Sequence, residues 1–229
     1  MERKTKIIAG NWKSYKSEGD VHDWFKQFAE KQKKDSFEKS HSVECILFVP
    51  FIYLSLAKHL IDHFRLPLSI GAQTVSSYPS GAYTGEVTAQ MVAQYAKYVL
   101  IGHSERRKLL GEEERTLTEK VHLAKNAHLE TLYCIQNEET PIPIGVRYVA
   151  YEPVWAIGSG TSDSPENANK VASVVKKAHP LQYVLYGGSV TVKNVEEFLK
   201  MDAIDGILLG KASLDPYIFL EIVQISLRT

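Results

Sequence analysis

The sequence predicts a (β/α)8 barrel that forms a single domain over residues 1–229. Short apolar runs alternate with segments of helical period along the whole chain, and eight such units can be distinguished. No linker, low-complexity tract or break in composition divides the chain. Alternating strands and helices favour parallel strands with right-handed crossovers, and eight units close most naturally into a barrel.

The predicted strands are the apolar runs 5–11, 43–49, 68–72, 98–102, 130–135, 147–152, 183–187 and 206–209. The competing fold is a doubly wound open sheet. Such a sheet would carry a glycine-rich fingerprint after its first strand, and the residues there are Asn11-Trp12-Lys13.

Helices are predicted between the strands from apolar residues spaced i, i+3, i+4 and i+7. A Ser17-x-x-Asp20 start precedes the first, and Ser164-Pro165-Glu166 opens another with a cap, a proline and an acid. The inward-facing stripes are Val21, Trp24, Phe25 and Phe28; Leu54, Ala57, Leu60, Ile61 and Phe64; Leu117, Val121 and Ala124; Val171, Val174, Val175 and Ala178; Val192, Val195 and Leu199; and Leu220 with Val223.

The fifth unit is predicted to lack its crossover helix. Only residues 136–146 separate the fifth and sixth strands, and they contain Pro141, Pro143 and Gly145, which forbid more than about one helical turn. At ~3.4 Å per residue, this segment still spans a strand of about 20 Å. We therefore expect an extended return at this place.

Composition and charge argue against nucleic acid or membrane as a partner. Lys and Arg number 27, as do Asp and Glu, so the formal net charge is zero. No apolar run has the length of a membrane span, and the N-terminal residues have no apolar core of a signal sequence. Cys45 and Cys134 fall in strand-like runs and are predicted to be buried free thiols, which fits a cytoplasmic protein.

Glu152 is the first candidate for chemistry. It ends an apolar run and is followed by Pro153, which stops the strand, and then by the apolar segment Val154-Trp155-Ala156-Ile157 with Gly158 and Gly160 behind it. A stiff segment with flexible ends is typical of a hinged lid. A lid that shuts over a carboxylate desolvates it, which raises the pKa of the carboxyl group and makes it a stronger proton acceptor.

The carboxyl ends of the other strands supply further candidates, because they form one rim of a barrel. Lys13 follows the first strand and offers a positive charge for an anion. His103 follows the fourth strand and opens a short helix, whose dipole disfavours the charged imidazole. The glycine-rich turns Tyr186-Gly187-Gly188-Ser189 and Leu209-Gly210-Lys211 follow the seventh and eighth strands and present N–H groups to a phosphate.

This set of groups suits proton abstraction next to a carbonyl group. Glu152 is the candidate base, and Lys13 and His103 would hold the enediolate. The sequence shows no nucleophile–base pair and no Walker loop, and no cofactor is expected. His59 and His63 have helical spacing but no third ligand is apparent, so no metal site is predicted.

The chain resembles the triosephosphate isomerase family. The resemblance rests on five segments in that family's order, which extend from Asn11 to Gly210. They are Asn11-Trp-Lys13, Gly102-His-Ser-Glu-Arg-Arg107, Ala150-Tyr-Glu-Pro-Val-Trp-Ala-Ile-Gly158, Tyr186-Gly-Gly-Ser189 and Gly206-Ile-Leu-Leu-Gly210. The resemblance implies a TIM barrel and the interconversion of dihydroxyacetone phosphate and glyceraldehyde 3-phosphate without metal or cofactor.

The resemblance also implies a role for each matching residue. Glu152 would be the base, His103 the neutral electrophile and Lys13 the cation at the enediolate. Asn11 would support Lys13, and Glu105 resembles a glutamate near that lysine. Gly158, Ser189 and Gly210 would bind phosphate through N–H groups, and the N–H of Lys211 would also serve. Thr84, in the loop 73–86, resembles a tip that reaches into a partner subunit, which implies a homodimer.

Two departures from the family pattern keep alternatives open. The fifth crossover helix is missing, and Lys211 stands where the family usually has glycine. One alternative is a barrel that has lost catalysis and only binds phosphate, although it would have to retain Asn11, Lys13, His103 and Glu152 together. The other is a different phosphosugar enzyme on the same barrel, which the segment around His103 and the lid disfavour.

Overall fold

The computed structural model describes residues 5–34, 42–154 and 162–229, which form a closed parallel barrel. Each strand pairs with the next in chain order, and β8 also pairs with β1, which closes the barrel. The strands are β1 (Lys6–Asn11), β2 (Val43–Val49), β3 (Leu68–Ala72), β4 (Tyr98–Ile101), β5 (Glu130–Ile135), β6 (Tyr148–Tyr151), β7 (Tyr183–Tyr186) and β8 (Gly206–Leu209). All eight predicted strands are confirmed, and the closure excludes an open doubly wound sheet.

The core consists of two separate hydrophobic clusters, because side chains alternate between the two faces of each strand. One set of buried residues fills the inside of the barrel: Ile7, Ala9, Ile46, Phe48, Tyr98, Leu100, Leu132, Cys134, Tyr148, Ala150, Leu185 and Leu208. The larger set packs between strands and helices. The same alternation puts Asn11 above Ile7 and Ala9, and Glu152 above Tyr148 and Ala150. Both polar side chains therefore face the carboxyl mouth of the barrel.

Eight α-helices are present in the described residues: α1 (Glu18–Lys34), α2 (Leu54–Phe64), α3 (Ala89–Val92), α4 (Ser104–Leu110), α5 (Glu114–Asn126), α6 (Pro165–Ala178), α7 (Val195–Leu199) and α8 (Pro216–Arg228). The predicted start of α1 is confirmed, since the Ser17 N–H donates to Asp20 at 2.8 Å and the Asp20 N–H donates to the Ser17 hydroxyl at 3.3 Å. Ser164 caps α6 by accepting the Asn167 N–H at 3.1 Å.

The predicted inward stripe of α6 is partly wrong. Val174 is 41% exposed and Ala178 is also exposed. The buried residues are Ala168, Val171, Ala172 and Val175, so the contact stripe starts one turn earlier.

The missing fifth crossover helix is confirmed. Residues 136–147 contain turns and extended chain only, and β6 begins at Tyr148. Thr140 orders the start of this return, because its hydroxyl accepts the N–H groups of Gln136 and Asn137 at 3.1 and 3.3 Å. Ile144 projects from it and is 97% exposed.

The connection between β3 and β4 projects a long loop from the barrel. Residues 78–86 are exposed, and the rings of Tyr78 and Tyr83 stack with centroids 4.4 Å apart. The Ser76 N–H donates to the Val87 carbonyl at 2.9 Å and closes the loop at its base. The short helix α3 follows, capped by Thr88, and it was not predicted from the sequence.

Two further expectations concern the cysteines and the membrane. Cys45 and Cys134 are both buried free thiols, as predicted. Among the helices that the structure describes, none combines the length and apolar character that crossing a bilayer requires.

Candidate active site

The carboxyl ends of the strands surround a cavity of about 1200 Å³. Seven of the predicted site residues line it: Asn11, Lys13, His103, Glu152, Ser189, Gly210 and Lys211. Glu105 joins them through a contact with Lys13. Thr84 lies on the exposed loop between β3 and α3, away from this cavity, and Gly158 with the lid segment 155–161 lies outside the described residues.

Lys13 is held at the cavity by bonds to its backbone. Its φ of 51° lies in the left-handed region, which costs a non-glycine residue about 1 kcal/mol. The Lys13 N–H donates to the Asn11 side chain at 3.0 Å, and the Gln73 side chain donates to the Lys13 carbonyl at 2.8 Å. The Lys13 ammonium lies 2.5 Å from a carboxylate oxygen of Glu105. These three contacts fix where the positive charge enters the cavity.

His103 presents one N–H to the cavity. It is the N-cap of α4, and its Nδ1 accepts the Glu105 N–H at 3.3 Å. A ring nitrogen that accepts a hydrogen bond carries no proton, so these partners assign the proton of a neutral imidazole to Nε2. The Nε2 atom lies 3.2 Å from Glu152 Oε1. The Nε2 atom therefore faces the Glu152 carboxylate at hydrogen-bond distance.

Glu152 has a buried carboxylate that faces His103. Its residue is 2% exposed. Oε1 faces His103 Nε2, and Oε2 accepts the Ser104 N–H at 3.0 Å at the start of α4. Gly187 gives this side chain its room, because a Cβ added there would lie 3.0 Å from Glu152 Cγ. A buried carboxylate with two replaceable donors can turn toward a ligand that offers the same imidazole a better acceptor.

Cys134 lies next to Glu152, but its thiol is not in the nucleophilic form. Burial raises the pKa of its thiol, and the neighbouring Glu152 carboxylate raises that pKa further. The thiol therefore stays protonated at neutral pH. A thiolate is the reactive form of cysteine, so the groups available for chemistry are a carboxylate, an imidazole N–H and an ammonium.

The turn after β8 is bound to the residue that follows β1 and to the middle of α1. Two tryptophans, Trp12 and Trp24, each donate an indole N–H to the Ser213 carbonyl at 3.1 Å. The Ser213 N–H and hydroxyl in turn donate to the Gly210 carbonyl at 2.9 and 2.7 Å. Gly210 lies beside Lys13, since a Cβ added there would be 3.8 Å from Lys13 Cε. The predicted anion-binding turn and the cation therefore share one rigid support.

The turn after β7 lies on the same side of the cavity. Asn194 donates to the Ser189 carbonyl at 3.2 Å. Gly188 is required by a close approach, because a Cβ there would lie 2.1 Å from the Tyr186 hydroxyl oxygen. The two glycine-rich turns thus line the same cavity as His103 and Glu152. The described residues contain no group of three or more His, Cys, Asp or Glu side chains that could hold a metal ion.

Sequence reasoning missed two residues that order this site. Gln73 donates to the Lys13 carbonyl, and Ser104 offers its N–H to Glu152. Both follow strands that the sequence identified, β3 and β4, so their position on the rim was a usable signal. Their partners lie 60 and 48 residues away in the chain, and no local pattern reveals such pairs.

The chain is similar to known proteins along almost its whole length. It matches the sequence family described as Triosephosphate isomerase over residues 6–146 and 143–226. The triosephosphate isomerase of Dictyoglomus thermophilum is 35% identical, with 96% of this chain and 99% of that protein covered. The triosephosphate isomerase of Shewanella denitrificans is 33% identical, with 99% of each protein covered. That of Synechococcus sp. strain JA-3-3Ab is 31% identical, with 97% of this chain and 96% of that protein covered. The similarity includes every strand and turn that lines the cavity in the described residues.

Proposed function

Because this chain belongs to the triosephosphate isomerase family, we propose which of its residues carry out that family's reaction. The protein is an isomerase that interconverts dihydroxyacetone phosphate and glyceraldehyde 3-phosphate, a step of glycolysis. The observation that supports the assignment below is the contact between Glu152 and His103 in the cavity that Lys13 also lines.

Glu152 is the base that moves the proton between the two carbon atoms. A substrate oxygen that accepts the Nε2–H of His103 replaces Glu152 Oε1 there and frees the carboxylate. The carboxylate then takes a proton from the carbon next to the carbonyl group, and the C–H electrons form the enediolate. The hydroxyl proton passes between the two substrate oxygens by way of His103 Nε2, and Glu152 returns its proton to the neighbouring carbon. These two transfers complete the isomerisation with no net gain or loss of atoms.

Lys13 and His103 stabilise the enediolate. The charge that develops on its oxygens meets the Lys13 ammonium and the Nε2–H of His103, both of which are already oriented by neighbouring groups. The Asn11 side chain supports Lys13 by accepting the Lys13 backbone N–H, and Glu105 holds the Lys13 ammonium near the cavity. Pre-oriented donors need little reorganisation during the reaction, which is the source of their effect on the barrier.

The phosphate group binds to the glycine-rich turns. Ser189 and Gly210 supply backbone N–H groups, and we include Gly158 on the ground of its sequence context alone. Lys211 is exposed on the rim of the cavity and forms no ion pair with any described residue. In this assignment its N–H and its ammonium both bind the phosphate. We propose that this lysine adds a positive charge at a position where the sequence family usually has glycine.

We also propose that the protein is a cytoplasmic homodimer built through the loop 73–86. The stacked Tyr78 and Tyr83 are 49% and 42% exposed, and Thr84 lies at the exposed tip beside them. Aromatic side chains on a projecting loop are typical of an interface. In this arrangement Thr84 of one subunit approaches the catalytic residues of the other. Two buried free cysteines fit a reducing compartment.

The test of this assignment is the variant Glu152→Gln in an assay that follows dihydroxyacetone phosphate formed from glyceraldehyde 3-phosphate. The amide cannot accept the substrate proton, so we expect kcat to fall about 10²–10⁴-fold. Glu119→Gln, at an exposed position of α5, is the matched control and should keep the rate of the unmodified protein. A Glu152→Gln rate within tenfold of that protein would reject Glu152 as the base.

A further inference from the structure

Asp163 is a buried acid outside the cavity, at the entrance to α6. It is 6% exposed, and it does not line the catalytic cavity. Burying a carboxylate without partners is strongly unfavourable, so its hydrogen bonds must account for its presence. The cap of α6 does not need it, because Ser164 already serves as the N-cap.

The Asp163 side chain accepts three hydrogen bonds. Oδ2 accepts the Tyr151 hydroxyl at 3.2 Å and the Asn167 amide at 2.7 Å, and Oδ1 accepts the Ser164 N–H at 2.8 Å. Burial, together with the Asp163 carboxylate, raises the pKa of the Tyr151 hydroxyl. Tyr151 therefore keeps its proton and remains the donor in this bond across the neutral pH range.

The backbone of Asp163 contacts a second tyrosine. Its N–H donates to the Tyr186 hydroxyl at 2.8 Å. Tyr151 and Tyr186 are the last residues of β6 and β7, and they are paired in the register of these strands. One residue thus binds the side chains that end two neighbouring strands, with the tyrosine rings 6.2 Å apart.

The residues that follow these tyrosines belong to the site. Glu152 follows Tyr151, and Gly187 follows Tyr186 with its Cα against the Glu152 side chain. Gly188 packs on the Tyr186 hydroxyl, as described above. The two tyrosines therefore connect Asp163 to the base on one strand and to the start of the phosphate-binding turn on the other.

We propose that Asp163 is a positioning residue for the isomerisation, whose carboxylate holds the end of β6 through Tyr151 and so fixes Glu152 relative to the turn after β7. This inference rests on the role proposed for Glu152. A base displaced by about 1 Å loses up to about 10²-fold in rate. The bonds to Asn167 and Ser164 stabilise the start of α6 and are separate from this role.

The experiment compares the variants Asp163→Ala, Tyr151→Phe and the double variant by steady-state kinetics, well below the unfolding temperature of each. We expect each single change to lower kcat about 5- to 20-fold with KM changed less than threefold, because the phosphate-binding N–H groups remain. The double variant should match the slower single variant, since both changes remove the same hydrogen bond. Asp163→Asn retains one acceptor and should recover part of the loss.

Asn167→Ala is the matched control, because it removes another bond to the same carboxylate and leaves Tyr151 in place. It should lower the unfolding temperature and leave kcat unchanged. A purely structural Asp163 would give normal kcat in all folded variants, and kcat within twofold for Tyr151→Phe would overturn the proposal. If Asp163→Ala does not fold, Tyr151→Phe decides alone, because it keeps the carboxylate. The Glu152→Gln result separates failure of this inference from failure of the base assignment.

Discussion

Two indole groups donate to the Ser213 carbonyl. We therefore expect that removing both donors lowers the free energy of unfolding by more than the sum of the two single losses. Trp12→Phe or Trp24→Phe removes one neutral hydrogen bond, worth about 1 kcal/mol. Each also leaves a small void at a buried ring, worth about another 1 kcal/mol. Each single variant should therefore lose about 2 kcal/mol of unfolding free energy, because the carbonyl keeps its other donor.

The double variant removes both indole donors from the Ser213 carbonyl. Ser213 is 0% exposed, so water cannot replace them, and an unsatisfied buried acceptor costs about 1–3 kcal/mol. We expect a total loss of about 5–7 kcal/mol rather than the 4 kcal/mol of simple addition. The inhibition constant of inorganic phosphate should rise in parallel, because Gly210 depends on Ser213.

The assay is urea unfolding of the four proteins at one fixed protein concentration, since the stability of an oligomer depends on concentration. A control cycle pairs Trp24→Phe with Phe28→Leu, whose ring stacks on Trp24 with centroids 5.2 Å apart but shares no hydrogen bond. That cycle reports the coupling due to packing alone. Losses that add within about 0.5 kcal/mol in the tryptophan cycle would refute the shared-acceptor reasoning.

Three further predictions concern the phosphate-binding turns, the thiols and the loop 73–86. Lys211→Gln should raise KM and the inhibition constant of phosphate about 3- to 10-fold. Lys200→Gln, at a surface pair with Glu196, is the control and should change neither constant. Equal values for the two variants would show that Lys211 does not contribute to phosphate binding. Burial raises the pKa of Cys45 to about 12 and also raises the pKa of Cys134. A thiol reagent at pH 8 should therefore modify neither cysteine until urea unfolds the protein. Rapid labelling of the native protein would contradict this prediction. Sedimentation should give the mass of two chains, and Thr84→Arg should produce monomers with reduced kcat; a fully active monomer would remove the role given to Thr84.

The strands and the common location of the candidate catalytic groups could be predicted because their signals are local. A buried parallel strand is a continuous apolar run, and each of the eight ends in a residue or turn that meets the others on the rim. Glu152, His103 and Lys13 could therefore be placed together from chain order alone. The proline-rich return at 136–146 was equally clear, since Pro141 and Pro143 would interrupt any helix across so short a segment.

Other features depend on the folded chain and left no such signal. The single turn of α3 is too short for a helical period, and only Thr88 marks its start. The inward stripe of α6 was placed wrongly at Val174 because spacing alone does not decide between two adjacent stripes. Asp163 has an ordinary helix-start sequence around it. Its bonds to Tyr151 and Tyr186 are apparent only when β6 and β7 lie side by side.

The two separate hydrophobic clusters, one inside the barrel and one between strands and helices, explain how a helix can be lost without damage to the catalytic rim. The twelve residues inside the barrel are held by strand pairing, and β5 and β6 keep four paired positions, from Leu132 with Tyr148 to Ile135 with Tyr151. Deleting a crossover helix removes cover from one sector of the outer layer only. The outer layer of helices can therefore lose an element during evolution, while the strands that carry the active site stay in register.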